Sequence, residues 1–217
     1  MQILFEDAHI VVCIKPYGIV SQSSKDGRDM VSELSRMLGC EIYPVHRLDR
    51  ETGGVMVYAK TGTAAAKLCT DVAQRRLQKT YLAIVHGAFP EKAGELCDLL
   101  FRDQKRNKSF VVTRQRKGVK QAVLQYETLQ TTVSPFGELT LLRIRLITGR
   151  THQIRVQFSS RKFPLLGDGR YGAADAAGKM GLWSYAISFA HPVTGERLQF
   201  SAAPQDNDGF DCFSVEY

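Results

Sequence analysis

Short apolar runs alternate with polar turns along most of this chain. Residues 3–5 and 10–14 read as two strands around the turn Glu6-Asp7-Ala8-His9, and Lys15-Pro16-Tyr17-Gly18 ends the second. Met30, Leu34, Met37 and Leu38 fall at helical spacing with Gly39 behind them, which predicts a helix over 29–38 with a glycine cap. Residues 55–59 read as a strand, Thr63 as the cap of a helix to about residue 77, and residues 80–85 as a strand ending at His86-Gly87. Residues 102–118 are polar and basic, a long loop or a projecting hairpin. Residues 121–130 and 139–147 read as strands joined by the turn Ser134-Pro135-Phe136-Gly137. Residues 151–160 read as a helix capped by Thr151, and 185–190 and 197–201 as a closing hairpin. This mixed order predicts an α+β (mixed α/β) fold on a largely antiparallel sheet with flanking helices, one domain over 1–217. It is not the strict alternation of a dinucleotide-binding sheet.

Composition narrows the class. The 217 residues are 44% hydrophobic and 24% charged, ordinary for a chain that buries a core. No run approaches a membrane span, and the start carries Glu6-Asp7 where a leader needs a basic end and an apolar run, so a cytoplasmic protein is expected. The five cysteines form no C-x-x-C pair and the five histidines are scattered, so neither a disulfide framework nor a metal site is expected. Neither phosphate-loop nor dinucleotide glycine motifs occur, so no nucleotide cofactor is expected.

Charge adds a partner. The net charge is +7, but it is uneven: residues 1–100 sum to 0, 101–170 to +11 and 171–217 to −4. A basic middle on a neutral frame is the footprint of a polyanion binder; a solvated basic surface is the plainer reading. Segment 102–120 holds eight basic residues, among them Lys105, Arg106 and Lys108, against one acid. It is the candidate segment for gripping a polyanion.

Four constellations carry candidate chemistry. In Val45–Gly54, Asp49 stands near Arg47 and beside Arg50, ahead of Gly53-Gly54. Flanking cations favour an ionised carboxylate fit for nucleophile or base; a surface ion pair before a turn is the plainer reading of these residues alone. In Lys79-Thr80-Tyr81, an aromatic beside a cation suits stacking on an unpaired base, or is a half-buried strand tyrosine. In Thr148-Gly149-Arg150-Thr151-His152-Gln153-Ile154-Arg155-Val156, a strand runs into a helix start with two arginines, suited to phosphate or carboxylate, or simply exposed. Asp168, in Gly167–Gly172, reads first as a turn residue and second as an acid.

Together and in this order, these segments resemble the RluA-type RNA pseudouridine synthases. Lys15–Gly18 is similar to the family's Lys-Pro-x-Gly element, and His46–Gly54 to its His-Arg-Leu-Asp-x-x-Thr-Ser-Gly motif. Lys79–Tyr81, Thr148–Val156, Gly167–Gly172 and His191–Glu196 are similar to its remaining motifs, so the resemblance spans nearly the whole chain. It implies a cofactor-free isomerase that flips a uridine out of rRNA or tRNA stem-loops and returns it as pseudouridine. By position it implies Asp49 as the catalytic aspartate, Tyr81 as the tyrosine on the target base and Arg155 as the arginine paired with Asp49. Arg47, Arg50, Lys79, Arg150 and His152 join the basic segment as RNA contacts. The resemblance covers a catalytic domain without an extra N-terminal RNA-binding domain. A monomer with no obligate protein partner is expected. A non-catalytic RNA-binding protein or RNA-folding helper of the same fold is the rival, and a basic protein with an acidic protein partner is a second. Two departures stand out: Gly53 replaces the family's serine, expected to do little harm, and Gln157 replaces its histidine, a change expected in helix packing or RNA contact.

Overall fold

Every residue of the runs Ile10–Lys15 and Gly53–Ala59 is buried. The computed structural model describes residues 1–173, 178–205, 207 and 209–215. The strands are β1 (Gln2–Glu6), β2 (Ile10–Lys15), β3 (Tyr43–Pro44), β4 (Gly53–Ala59), β5 (Gln78–His86), β6 (Ala93–Asp103), β7 (Lys108–Val112), β8 (Val119–Ser134), β9 (Gly137–Leu146), β10 (Leu182–Ala190) and β11 (Arg197–Ser201). The helices are α1 (Met30–Leu38), α2 (Gly62–Ala73) and α3 (Gln153–Ser159). The fold is α+β with mostly antiparallel pairing, as the sequence pattern predicts. The chain divides into two compact units.

The first unit holds Met1–Lys79 and Trp183–Pro204. β2 pairs antiparallel with β1 and β4, and β4 runs parallel to β10, which forms a hairpin with β11. Ile10, Val12, Val55 and Val57 share one face with Ala64 and Leu68 of α2 and Phe189 of β10. The period of two along β2 and β4 and the one-turn spacing of Ala64 and Leu68 make these side chains meet. The predicted first helix is present: the Asp29 carboxylate accepts from the Ser32 N–H, and Gly39 ends it at φ 65°. The second helix is displaced and shorter. Thr61, not Thr63, caps it, and it stops at Ala73 because Arg75 turns left-handed and Arg76 pairs back onto the buried Asp71.

The second unit holds Thr80–Leu182 and Gln205–Tyr217. Its strands are antiparallel in the order β5-β9-β8-β6-β7. The basic segment is largely the hairpin alternative: Phe101 of β6 opposes Phe110 of β7. Pattern reading missed β3 and most of β6. The charges of Asp98 and Arg102, on the face of Leu96 and Leu100, mask the alternation in β6, and two-residue β3 is too short to show a period. The helix at 151–160 is trimmed to α3, and Thr151 does not cap it. His152 stands at the cap position at φ 53° and makes no capping bond, while the Gln153 side chain accepts from the Arg150 N–H at 3.0 Å.

Candidate active site

In the first unit, Asp49 sits on a loop pinned from several directions. His46 and Leu48 point inward, while Arg47 and Arg50 are exposed and Asp49 is half-buried. His46 Nε2 accepts from the Val57 N–H at 3.2 Å. Burial, reinforced by the Lys79 charge, holds His46 well below its usual pKa, so the ring is neutral with its proton on Nδ1. The Ser21 hydroxyl donates to the Leu48 carbonyl at 2.9 Å and accepts from the Leu48 N–H at 3.2 Å. The Thr52 N–H closes a turn onto the Asp49 carbonyl at 3.1 Å.

Lys15 anchors this loop, a role the sequence pattern does not reveal. Its side chain is fully buried, and Nζ donates to the carbonyls of Pro16 at 2.8 Å, Ile19 at 2.6 Å and Arg50 at 3.2 Å. The Gly18 N–H adds a bond to the same Arg50 carbonyl at 2.9 Å. The Lys-Pro-x-Gly element thus holds the loop that carries Asp49. Arg50 also lines a cleft of about 590 Å³ with Gly18, Arg28, Asp29 and Arg36.

Burial, opposed by the carboxylates of Asp49 and Glu51, pulls the Lys15 ammonium from 10.5 to about 8. An ammonium has three N–H groups for three carbonyls; the neutral amine has two. Turnover is therefore expected to fall as pH rises through about 8, with the loop loosened. Stability moves the other way. Unfolded Lys15 keeps its proton to about pH 10.4, so between about 8 and 10 the unfolded chain binds more protons, and this group's contribution rises with pH. A pH series of turnover alongside thermal melts checks this; a kcat flat to pH 9.5 overturns it. Burial also lowers the half-buried Lys79 to about 8, so Lys15→Arg, which keeps its charge, tells the two lysines apart by moving the limb.

Gly53 is explained by this chain's own tryptophan. A Cβ there would stand 2.8 Å from Trp183 Cε3 and 3.2 Å from the Tyr17 ring, and Trp183 is buried with its indole N–H on the Ala202 carbonyl at 2.8 Å. Trp183 thus fills the space that a side chain at position 53 would need. Gly53→Ser is expected to destabilise by about 1–3 kcal/mol through overpacking, seen as a lower Tm. A Tm within one degree of wild type would show that Trp183 yields.

In the second unit, Tyr81 is a buried residue of β5 opposite Ile144. Arg155 lies inside α3, its side chain 4% exposed, and is not a surface arginine. It meets Asp168 two-pronged, Nε to Oδ2 at 2.6 Å and Nη2 to Oδ1 at 2.8 Å. Sequence reading gave Asp168 a turn; the structure adds this pair. His152, expected among the RNA contacts, is buried with Nδ1 on the Tyr171 hydroxyl at 3.0 Å, so its place is internal. Half-buried Arg150 donates from Nε to the Gln121 carbonyl at 3.0 Å. Gln157 is buried too, and its amide donates to Asp98 at 2.7 Å, so this departure serves helix packing. On the hairpin, Lys105 and Arg106 are exposed, whereas Lys108 donates to the Arg170 carbonyl at 2.6 Å and sits over the Tyr171 ring.

Comparison with known proteins follows the same lines. The family described as RNA pseudouridylate synthase matches residues 9–160. The ribosomal large subunit pseudouridine synthase C of Buchnera aphidicola is 32% identical over 95% of this chain and 68% of its own length. The tRNA pseudouridine synthase C of Haemophilus influenzae is 29% identical over 93% of this chain and 92% of its own. In structure, human RNA pseudouridylate synthase domain containing 1 superposes with a TM-score of 0.81 at 21% identity, over 94% of this chain and 83% of that one, which speaks for the fold. The chain belongs to the RNA pseudouridylate synthase family, and with it to the RNA uridine isomerases. Among the described residues, no helix is long and apolar enough to cross a membrane.

Proposed function

We propose that this chain converts specific uridines in rRNA or tRNA stem-loops to pseudouridine, with Asp49 as the catalytic carboxylate. The observation that carries this reading is the pinned loop: Lys15, Ser21 and His46 hold the backbone around Asp49 while its side chain keeps partial exposure. A group that acts on a flipped nucleotide needs that combination of fixed position and access. Tyr81 stacks on the target base in this reading, and Arg155 pairs with Asp49, both by their place in the family's motifs. Arg47, Arg50, Lys79, Arg150, Lys105, Arg106 and Lys108 form the RNA-binding set. His152 supports that set from inside, through Tyr171.

Uracil leaves its sugar and returns through carbon 5, so the reaction balances without a cofactor. The two units act as one catalytic domain, in the cytoplasm, as a monomer without an obligate protein partner. The related proteins named for ribosomal and transfer RNA support both substrate classes.

The test is a pseudouridine map of cellular RNA with and without this gene, complemented by wild type or by Asp49→Ala. One or a few sites are expected to vanish and to return only with wild type. A map that never changes, once redundant enzymes are deleted, would favour the non-catalytic RNA binder.

A further inference from the structure

In the second unit, β6 and β7 divide their side chains between two faces. Ser109 and Val111 of β7 turn inward. The Ser109 hydroxyl donates to the Thr151 carbonyl at 2.7 Å, and Val111 packs with Leu100, Ala122 and Val156. Successive strand residues point to opposite faces, so Phe110 and Val112 turn outward, together with Phe101 and Leu99, their cross-strand partners on β6. All four outward side chains are apolar and half-buried. A solvated sheet face ordinarily carries polar residues at such positions.

Charge frames this patch. Segment 102–120 carries eight basic residues against one acid. Among the described residues, its one salt bridge joins Arg106 to Asp103 at 3.7 Å, so the other cations have no paired carboxylate. The Arg116 guanidinium lies 4.7 Å from the centre of the Phe101 ring, and the Lys108 ammonium 5.9 Å from that of Phe110. A guanidinium laid on a ring keeps its N–H edges for an anion. The hairpin is also held in place. Arg170 Nη1 donates to the Asn107 carbonyl at 3.1 Å, and the Ser109 N–H donates to the Tyr171 hydroxyl at 2.8 Å. An RNA duplex offers phosphates but keeps its base faces stacked inside. An unpaired nucleotide offers an anion and an open ring face together, which is what this surface complements.

We propose that the outer face of the β6–β7 hairpin stacks an unpaired base of the substrate RNA, one other than the target uridine, on Phe110, with the Arg116 guanidinium on a neighbouring phosphate. The proposal rests on the isomerase reading above, which makes RNA the substrate. It adds what the hairpin selects: a single-stranded nucleotide as well as the phosphates within reach of Lys105 and Arg106. Phe101 seats Arg116, and Phe110 carries the base.

The experiment uses the full chain and two probes at one salt concentration, a labelled single-stranded oligouridine and a blunt RNA duplex. Phe110→Leu keeps apolar bulk and removes the aromatic face. It is expected to weaken oligouridine binding by about 5–50-fold and duplex binding by less than about twofold. Phe110→Trp is expected to bind oligouridine at least as tightly as wild type. Wild-type affinity in Phe110→Leu would overturn the proposal. Equal losses on both probes would also overturn it, because a purely structural cross-strand pair predicts them. A wild type that binds neither probe would overturn it in favour of an acidic protein partner. A second measurement needs no variant and decides the matter if Phe110→Leu does not fold. Wild type is irradiated with oligouridine carrying one 5-iodouridine, and an adduct on Phe110 or Phe101 is expected. Adducts confined to residues outside 99–112 would overturn the proposal. Turnover is scored apart, as release of tritium from uridine carbon 5 of a mapped RNA. A wild type that stacks oligouridine through Phe110 and converts no uridine would overturn the isomerase reading and leave the hairpin as a single-strand RNA site.

Discussion

Asp49→Asn is expected to lower turnover on a mapped substrate RNA by at least about 10³-fold, with RNA affinity within about twofold. The substitution keeps size and one acceptor oxygen but removes the charge, so it probes chemistry more than shape. The neighbouring bonds should survive it. The Asp49 carbonyl still accepts from Thr52, Lys15 and Gly18 still hold the Arg50 carbonyl, and Ser21 still brackets Leu48. In the proposed reading, binding to RNA rests on arginines and lysines through phosphate contacts that a single carboxylate does not supply. Tritium release from carbon 5 and a filter-binding isotherm on the same RNA separate the two effects. Full turnover in Asp49→Asn would remove this residue from the reaction. Lost binding with it would recast Asp49 as part of the RNA surface.

Gly54→Ala is expected to cost the fold about 2–6 kcal/mol, adding backbone strain to overpacking. Gly54 has φ 119°, a conformation open to glycine and not to alanine. Its Cβ would also stand 2.6 Å from the Ser184 N and 2.8 Å from the Ser184 carbonyl carbon. Those atoms belong to the strand paired beside it, since Gly54 and Ser184 are partners in the β4–β10 ladder. Neither side can withdraw: Gly54 also opposes Lys15 of β2, and the Ser184 hydroxyl is bonded to the Val55 carbonyl at 3.0 Å. For a chain of this size each kcal/mol moves Tm by about 2–4 °C, so a fall of about 5–20 °C is expected in a thermal melt. A fall of less than 2 °C would show that β10 can shift. Because β4 leads directly out of the Asp49 loop, a shifted strand should also lower turnover.

Much of the fold is legible in the residue order, and the reasons are local. β2 and α1 are found close to their predicted bounds because their apolar periods are clean and Gly39 is an unambiguous stop. β6 is not legible, because half-buried Asp98 puts a charge on the face of buried Leu96 and Leu100, and Asp98 takes its meaning from Arg161 at 2.9 Å, a partner 63 residues away. The α3 start is misread for a similar reason: Gln153 caps from within, where a threonine before the helix is the usual sign.

The sequence by itself determined the fold class, the basic middle and the motif order that names Asp49, Tyr81 and Arg155. The fold class and the basic middle follow from hydrophobic period and net charge, which need no third dimension, while Asp49, Tyr81 and Arg155 are named by the motifs' resemblance to the family. Only the tertiary structure decided what holds these residues. Lys15 reaches the Arg50 carbonyl 35 positions away, Ser21 reaches Leu48 across 27, and Trp183 fills the space that forbids a side chain at Gly53. A buried charge finds its partner through the fold and not through the chain. That is why Asp168, a turn residue by its neighbours in sequence, is by its neighbours in space the counter-ion of Arg155.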